Sequence, residues 1–509
     1  MSRKAWRASN VYAKDSLRAA DDTTGVNDFD EAAARALDTA LARGATYADV
    51  RYERARSERI EVRNGDLLTL TDGTSMGYGL RAFVDGVWGF AASDDSSNEG
   101  LDTTAALAVA IASAGAAAAA QRFAQAPTDR YVDTYRTPVL RDPADVPLGD
   151  RVALLLDTER LLHATPKVRA GRAWIDLWST GKVFYSSIGS RIEQTLYQSG
   201  GGASALAIGD GDAQERTYPG DVGLYQSGGW EIVERAALRE NAQRIGEEAS
   251  QLLDAPQCPS GTYDVVLGSS QVSLQIHESC GHAAELDRVM GWEANFSGTS
   301  FLAPEDLGRL RYGSPLVTIV IDNHLPGGLA TAAYDDEGAR SVPADIVRDG
   351  MLVGFETSHD TARTIGRATN ACVRAQSWRH VPMIRMCNLS LLPGNVPFDA
   401  LFEDVERGIY MESNRSWSID DHRLNFQFGC QIGWEIVRGK RSRLVKNPTY
   451  AGVTPQFWNS CDAIADERSW TAWGTPNCGK GEPIQTGRTA QAAAPARFRN
   501  VRVGVGYDG

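Results

Sequence analysis

The run Ile276-His277-Glu278-Ser279-Cys280-Gly281-His282 constrains this chain more than any other stretch. Two histidines bracket a glutamate that directly follows the first, and this is the residue set a catalytic metal site needs. Neutral imidazoles bind the ion, and the carboxylate can take a proton from the attacking water. The common zinc-protease motif H-E-x-x-H sets its histidines four apart on one helical face. Here they are five apart, which on a regular α-helix turns them about 140° from each other. A π-type turn of roughly 4.4 residues reduces that angle to about 50°. The spacing therefore predicts an irregular helix at 279–282, with Gly281 where a distortion or an early helix end is tolerated. The alternative is a straight helix through 276–286 with two ordinary histidines, one buried and one exposed.

The longer segment His277-Glu278-Ser279-Cys280-Gly281-His282-Ala283-Ala284-Glu285-Leu286-Asp287 resembles the H-E-x-x-G-H-x-x-E-x-D signature of the TldD/PmbA (modulator of gyrase) peptidase family, and within it the TldD branch. Tyr334-Asp335-Asp336-Glu337-Gly338 resembles its D-D-E-G stretch, and Asn477-Cys478-Gly479-Lys480 its C-terminal C-G-K. The resemblance runs from about residue 30 onward. It implies a zinc ion held by His277, His282 and Cys478, with Glu278 as general base. It also implies a peptide substrate and a heterodimer with a metal-free PmbA/TldE-like homologue, a homodimer being the other arrangement. A thiolate is the ligating form of cysteine, and a neighbouring cation such as Lys480 would lower its pKa. Cys280, between the histidines, is a local rival that reads as packing. Glu285 reads either as a partner for a histidine N–H, which fixes a ligand's tautomer, or as a solvated carboxylate. Asp335, Asp336 and Glu337 either line a cleft or cap a turn.

A chain of 509 residues exceeds one ordinary core. The expected division is a polar arm at 1–27, an α+β domain at 28–255 with an antiparallel sheet and helices, and a β-rich domain at 256–509 carrying the metal helix. The Pro/Gly-containing stretch 254–261 marks the boundary. Hydrophobic residues make up 42% and charged residues 23%, as in globular proteins. The net charge of −13 argues against nonspecific nucleic-acid binding. Seven scattered cysteines without a C-x-x-C pair predict reduced thiols and a cytoplasmic location. The first residues, Met-Ser-Arg-Lys, are followed by no apolar run of a signal peptide. Residues 104–120 read as a half-buried helix, too short and weakly apolar to span a membrane.

Along the chain, a helix is expected at 28–43. Four strands from 48 to 93 are expected to turn at Asn64-Gly65, Asp72-Gly73 and Asp85-Gly86. A helix at 98–123, one at 148–164, strands between 168 and 209 and a long helix at 228–253 follow. Beyond 261, strands are expected at 263–267 and 316–321, then from Phe426 to Ile436 with a hairpin partner near Leu444, and last at 501–505. The leading function is a zinc metallopeptidase. An amide hydrolase of a peptide-derived natural product and a non-catalytic metal-binding scaffold remain alternatives.

Overall fold

The computed structural model describes residues 29–119, 122–124, 128–209, 211–295 and 298–504. The expected arm at 1–27 lies outside the described residues. The fold is α+β. Its first sheet is antiparallel but for one edge, and contains β1 (Tyr47–Arg63), β2 (Asp66–Val84), β3 (Val87–Ser93), β4 (Val132–Arg136), β5 (Val168–Ser186), β6 (Arg191–Gly209), β7 (Asp212–Tyr218) and β8 (Leu224–Ser227). The order is β3-β2-β1-β5-β6-β4, with β7 and β8 also pairing with β6.

The turns at Asn64-Gly65 and Asp85-Gly86 form as expected, all four residues having positive φ. Asp72-Gly73 does not turn. β2 runs straight through it, continuing the ladder with β1 at Glu58 and Ser57, and the Asp72 carboxylate accepts Arg56 Nε at 2.9 Å and Nη2 at 2.7 Å. Two long strands and a short one therefore replace four.

Helices Asp30–Ala42 and Asn98–Ala118 cover one part of this sheet, and Leu148–Leu162 with Leu238–Asp254 another. By length and composition Asn98–Ala118 is long and apolar enough to cross a membrane, contrary to the reading of 104–120. In the fold it lies on the sheet, burying Leu101, Ala105, Ala108, Val109 and Ala112. The helix expected at 228–253 is two, Trp230–Ala236 and Leu238–Asp254, parted by Ala237 at φ 48°.

The second half opens with β9 (Gly261–Leu267), which feeds the helix Ser269–Ile276. A six-stranded sheet has the order β12-β11-β10-β15-β22-β21. It comprises β10 (Ile319–Ile321), β11 (Ala344–Arg348), β12 (Met351–Leu352), β15 (Asn388–Leu391), β21 (Thr471–Lys480) and β22 (Gln485–Ala493). β13 (Val373–Arg374) and β14 (Met383–Ile384) form a separate pair. Strand β10 is shorter than the apolar run 316–321 suggests, and Leu316 is exposed.

β16 (Arg407–Ile419), β17 (Asn425–Val437), β19 (Thr449–Val453) and β23 (Ala496–Val503) close with β9 into a ring. β18 (Lys440–Lys446) and β20 (Cys461–Ile464) flank it. Of the alternating Phe426, Phe428, Cys430, Ile432, Trp434 and Ile436, all are buried but Trp434, which is half-buried. The ring packs Val265, Phe428, Tyr450 and Phe498 into one core with the helix Ser269–Ile276. The Tyr450 hydroxyl donates to Gln275 Oε1 at 3.0 Å and accepts from Gln271 Nε2 at 3.0 Å, anchoring that helix at the ring.

Candidate metal centre

The helix Ser269–Ile276 widens into a π-turn at His277–Gly281, returns to α at His282–Ala284, and breaks at Glu285, whose ψ is 112°. This irregularity, beginning two residues earlier than expected, is what the five-residue spacing demands. Several bonds hold it. The Tyr312 hydroxyl donates to the Ser279 carbonyl, Ser279 Oγ donates back to the Gln275 carbonyl, and Trp458 Nε1 donates to Ser279 Oγ at 2.9 Å. Gly281 has an ordinary helical φ of −62°. Its role is space, since a Cβ there would collide with Met386 Sδ.

The turn sets the two imidazoles edge to face, ring centroids 4.9 Å apart and planes at 89°. Cys478, near the end of β21, brings Sγ to 3.4 Å from His282 Nε2. Ligand atoms of His277, His282 and Cys478 all lie within 4.8 Å of one another, and all three residues are buried. His277 Nδ1 donates to Gln491 Oε1 at 3.1 Å, and His282 Nδ1 donates to Glu285 Oε2 at 3.0 Å. Each Nε2 lone pair is thereby left for an ion. Two imidazole nitrogens and a thiolate fit a borderline-soft divalent cation such as zinc and leave a fourth position open.

Burial opposes charge at this cluster, but its members stabilise one another. His282 and His277 hold the Cys478 thiol well below its usual range despite burial. Lys480 does not take the part expected of it. Its fully buried ammonium donates to both Asp287 oxygens at 2.8 Å and to the Ile384 carbonyl at 2.7 Å, and lies 3.4 Å from Glu285. Glu285 is buried and partnered rather than solvated. Burial alone would raise its pKa, yet Lys480, Arg288 and His282 hold the carboxyl well below the ordinary value. Arg288 Nε donates to it at 2.6 Å and the Met386 amide at 3.2 Å.

Glu278 is also buried, its Oε2 accepting from Arg423 Nη1 at 3.1 Å. Cys280 stands outside the cluster, its thiol pushed up to about 12 by burial. Asp336 and Glu337 join the two halves of the molecule, and Asp335 holds the turn that presents them. Asp335 caps its turn by accepting the Glu337 and Ala339 amides at 2.9 Å. Asp336 accepts Lys182 Nζ at 2.7 Å, and Glu337 accepts Arg81 Nη1 at 2.9 Å. His380 bonds Ser377 at 2.9 Å, and His324, His359 and His422 likewise stand outside the metal cluster.

Sequence reasoning missed Gln491, Arg423, Tyr312 and Met386. Gln491 carries no local signal, being one of several polar residues in β22. Arg423 lies in the loop segment Ser418-Ile-Asp-Asp-His-Arg, which carries no metal-site motif.

Models of the PmbA/TldA metallopeptidase C-terminal domain and of domain 1 match residues 260–504 and 48–112. A metalloprotease of Methanothermobacter thermautotrophicus is 29% identical over 459 residues, 90% of this chain and 95% of the relative. A zinc metalloprotease TldD homolog of Saccharolobus solfataricus is 22% identical over 433 residues, covering 83% and 90%. Among solved structures, a protein named a modulator of DNA gyrase from Thermotoga maritima superposes with a TM-score of 0.74 at 18% identity, over 94% of this chain and all of that one (100%). TldE from Thermococcus kodakarensis gives 0.66 at 13% identity, covering 93% and 100%. Matched in both halves by family models and along nine-tenths of its length by a metalloprotease, the chain belongs to the TldD/PmbA metallopeptidase family.

Proposed function

We propose that this chain is a zinc-dependent peptidase of the TldD branch that hydrolyses amide bonds in peptides, with His277, His282 and Cys478 as ligands and Glu278 as general base. The observation that carries this reading is the convergence of two imidazoles and a low-pKa thiol beside a buried carboxylate. A bound zinc ion supplies a Lewis acid that polarises the scissile carbonyl and lowers the pKa of its water toward about 7. Gln491 and Glu285 orient the two imidazoles through their Nδ1 protons. Glu278 accepts the proton of the attacking water and returns it to the leaving amine. Burial of all four groups keeps bulk water from competing for these contacts.

A catalytic rather than scaffolding role is supported by Glu278, because a closed structural site has no use for a base. We place the protein in the cytoplasm, where its seven buried free thiols stay reduced. A TldE/PmbA-like homologue is the partner this reading expects, supported by the fold shared with TldE.

The test is the zinc content of protein purified without chelator or metal-affinity tag. About one zinc per chain is expected in the wild type, little in Cys478→Ala and an unchanged amount in Cys280→Ala. Glu278→Gln is expected to keep zinc and lose peptide turnover; cleavage at near the wild-type rate would remove Glu278 as the base.

A further inference from the structure

Arg423 sits in the loop between β16 and β17 at φ 61°, a left-handed conformation that disfavours every residue with a side chain except where its surroundings enforce it. Here they do. Asp420 accepts the Leu424 amide at 2.8 Å and the Asn425 amide at 3.1 Å, the Arg423 amide donates to the Asp420 carbonyl at 2.9 Å, and Thr454 Oγ1 donates to the Arg423 carbonyl at 2.8 Å. A glycine would meet the same turn without strain. The arginine instead carries a buried guanidinium to 3.1 Å from Glu278 Oε2.

Resting on the peptidase reading above, we infer that Arg423 is a catalytic residue whose guanidinium exchanges the Glu278 carboxylate for the oxyanion of the tetrahedral intermediate. The charges support this exchange. As the water oxygen bonds to the carbonyl carbon, the C=O π pair moves onto the carbonyl oxygen and the water proton moves to Glu278. The negative charge that paired with Arg423 disappears from Glu278 as one arises on the substrate. The guanidinium stays charged throughout. A preorganised donor in a water-poor site is worth most where charge develops during the reaction. When the C–N bond breaks, Glu278 returns the proton to the amine, the charge leaves the substrate oxygen as C=O re-forms, and the Arg423–Glu278 pair is restored.

The test uses zinc-loaded Glu278→Gln protein, in which residue 278 is neutral as it is after proton transfer. A phosphinic peptide, whose tetrahedral anion imitates the oxyanion, is titrated calorimetrically beside the matching uncleaved peptide. Adding Arg423→Gln is expected to weaken phosphinate binding about 100-fold, while the peptide changes by less than about threefold. Zinc content and melting temperature of each variant report that the site is intact. Should Arg423→Gln fail to fold, Arg423→Lys carries the comparison, with a loss of about tenfold confined to the phosphinate. Equal weakening of both ligands would make Arg423 a ground-state contact, and unchanged phosphinate affinity would leave it only positioning Glu278; either overturns the inference. A zinc-free wild type, or a Glu278→Gln protein that cleaves peptide normally, would instead overturn the peptidase reading.

Discussion

His277 has its pKa raised to about 9 in the metal-free protein; burial works against the charge, and Cys478, Glu278 and Gln491 outweigh it. Its contribution to metal-free stability is therefore fully present below its ordinary value of 6.5 and is lost as pH rises through about 9. With the ligand set proposed here, zinc must displace that proton. Apparent zinc affinity is expected to climb with pH up to about 9 while the melting temperature of the metal-free protein falls, which competition titration and calorimetry would follow. Glu285→Gln removes the anion that orients His282 and should lower zinc affinity about 10- to 100-fold. Lys480→Met leaves Asp287 and Glu285 buried against less positive charge, and is expected to cost about 3–5 kcal/mol in denaturant unfolding.

The π-turn is the element on which the centre depends, and its fastening can be tested apart from the metal. Tyr312→Phe strips the Ser279 carbonyl of its donor in a buried setting, a loss of about 1–3 kcal/mol that should appear in the melting temperature along with weaker zinc retention. In the β16–β17 loop, Arg423→Gly and Arg423→Ala both lose the guanidinium, but only alanine keeps a Cβ in the left-handed region. The glycine variant should be the more stable by about 1 kcal/mol.

These elements were unequally legible in the sequence. The histidine spacing foretold the distorted helix because helical geometry leaves two imidazoles five residues apart few ways to meet. Asn64-Gly65 foretold its turn through the backbone freedom of its residues. Asp72-Gly73 has the same local chemistry, but its backbone continues the ladder with Glu58 and Ser57 of β1, a pairing between distant residues that the dipeptide does not encode. Cys478 and Gln491 reach the site through strand pairing between distant segments, which no local pattern encodes. Cys478 came into view only through the family resemblance.

At the scale of the molecule, buried ion pairs join the sheet of the first half to the D-D-E-G turn of the second. Arg81 bridges Asp49 at 2.7 Å and Glu337 at 2.9 Å, and Lys182 reaches Asp336 at 2.7 Å. Removing one partner leaves an uncompensated buried charge. Arg81→Met should cost about 3–5 kcal/mol and separate the calorimetric unfolding of the two halves into two transitions.

The thiol of the metal cluster lies 196 residues beyond its second histidine. During translation, at about 5–20 residues per second, a growing chain carries both imidazoles for roughly 10–40 seconds before the thiol is even polymerised. A half-made polypeptide belongs to the substrate class of the proposed reaction, and at that stage the cluster still lacks its thiol. In the proposed site, placing the last donor so far along the chain delays completion of the centre until most of the surrounding polypeptide has been synthesised.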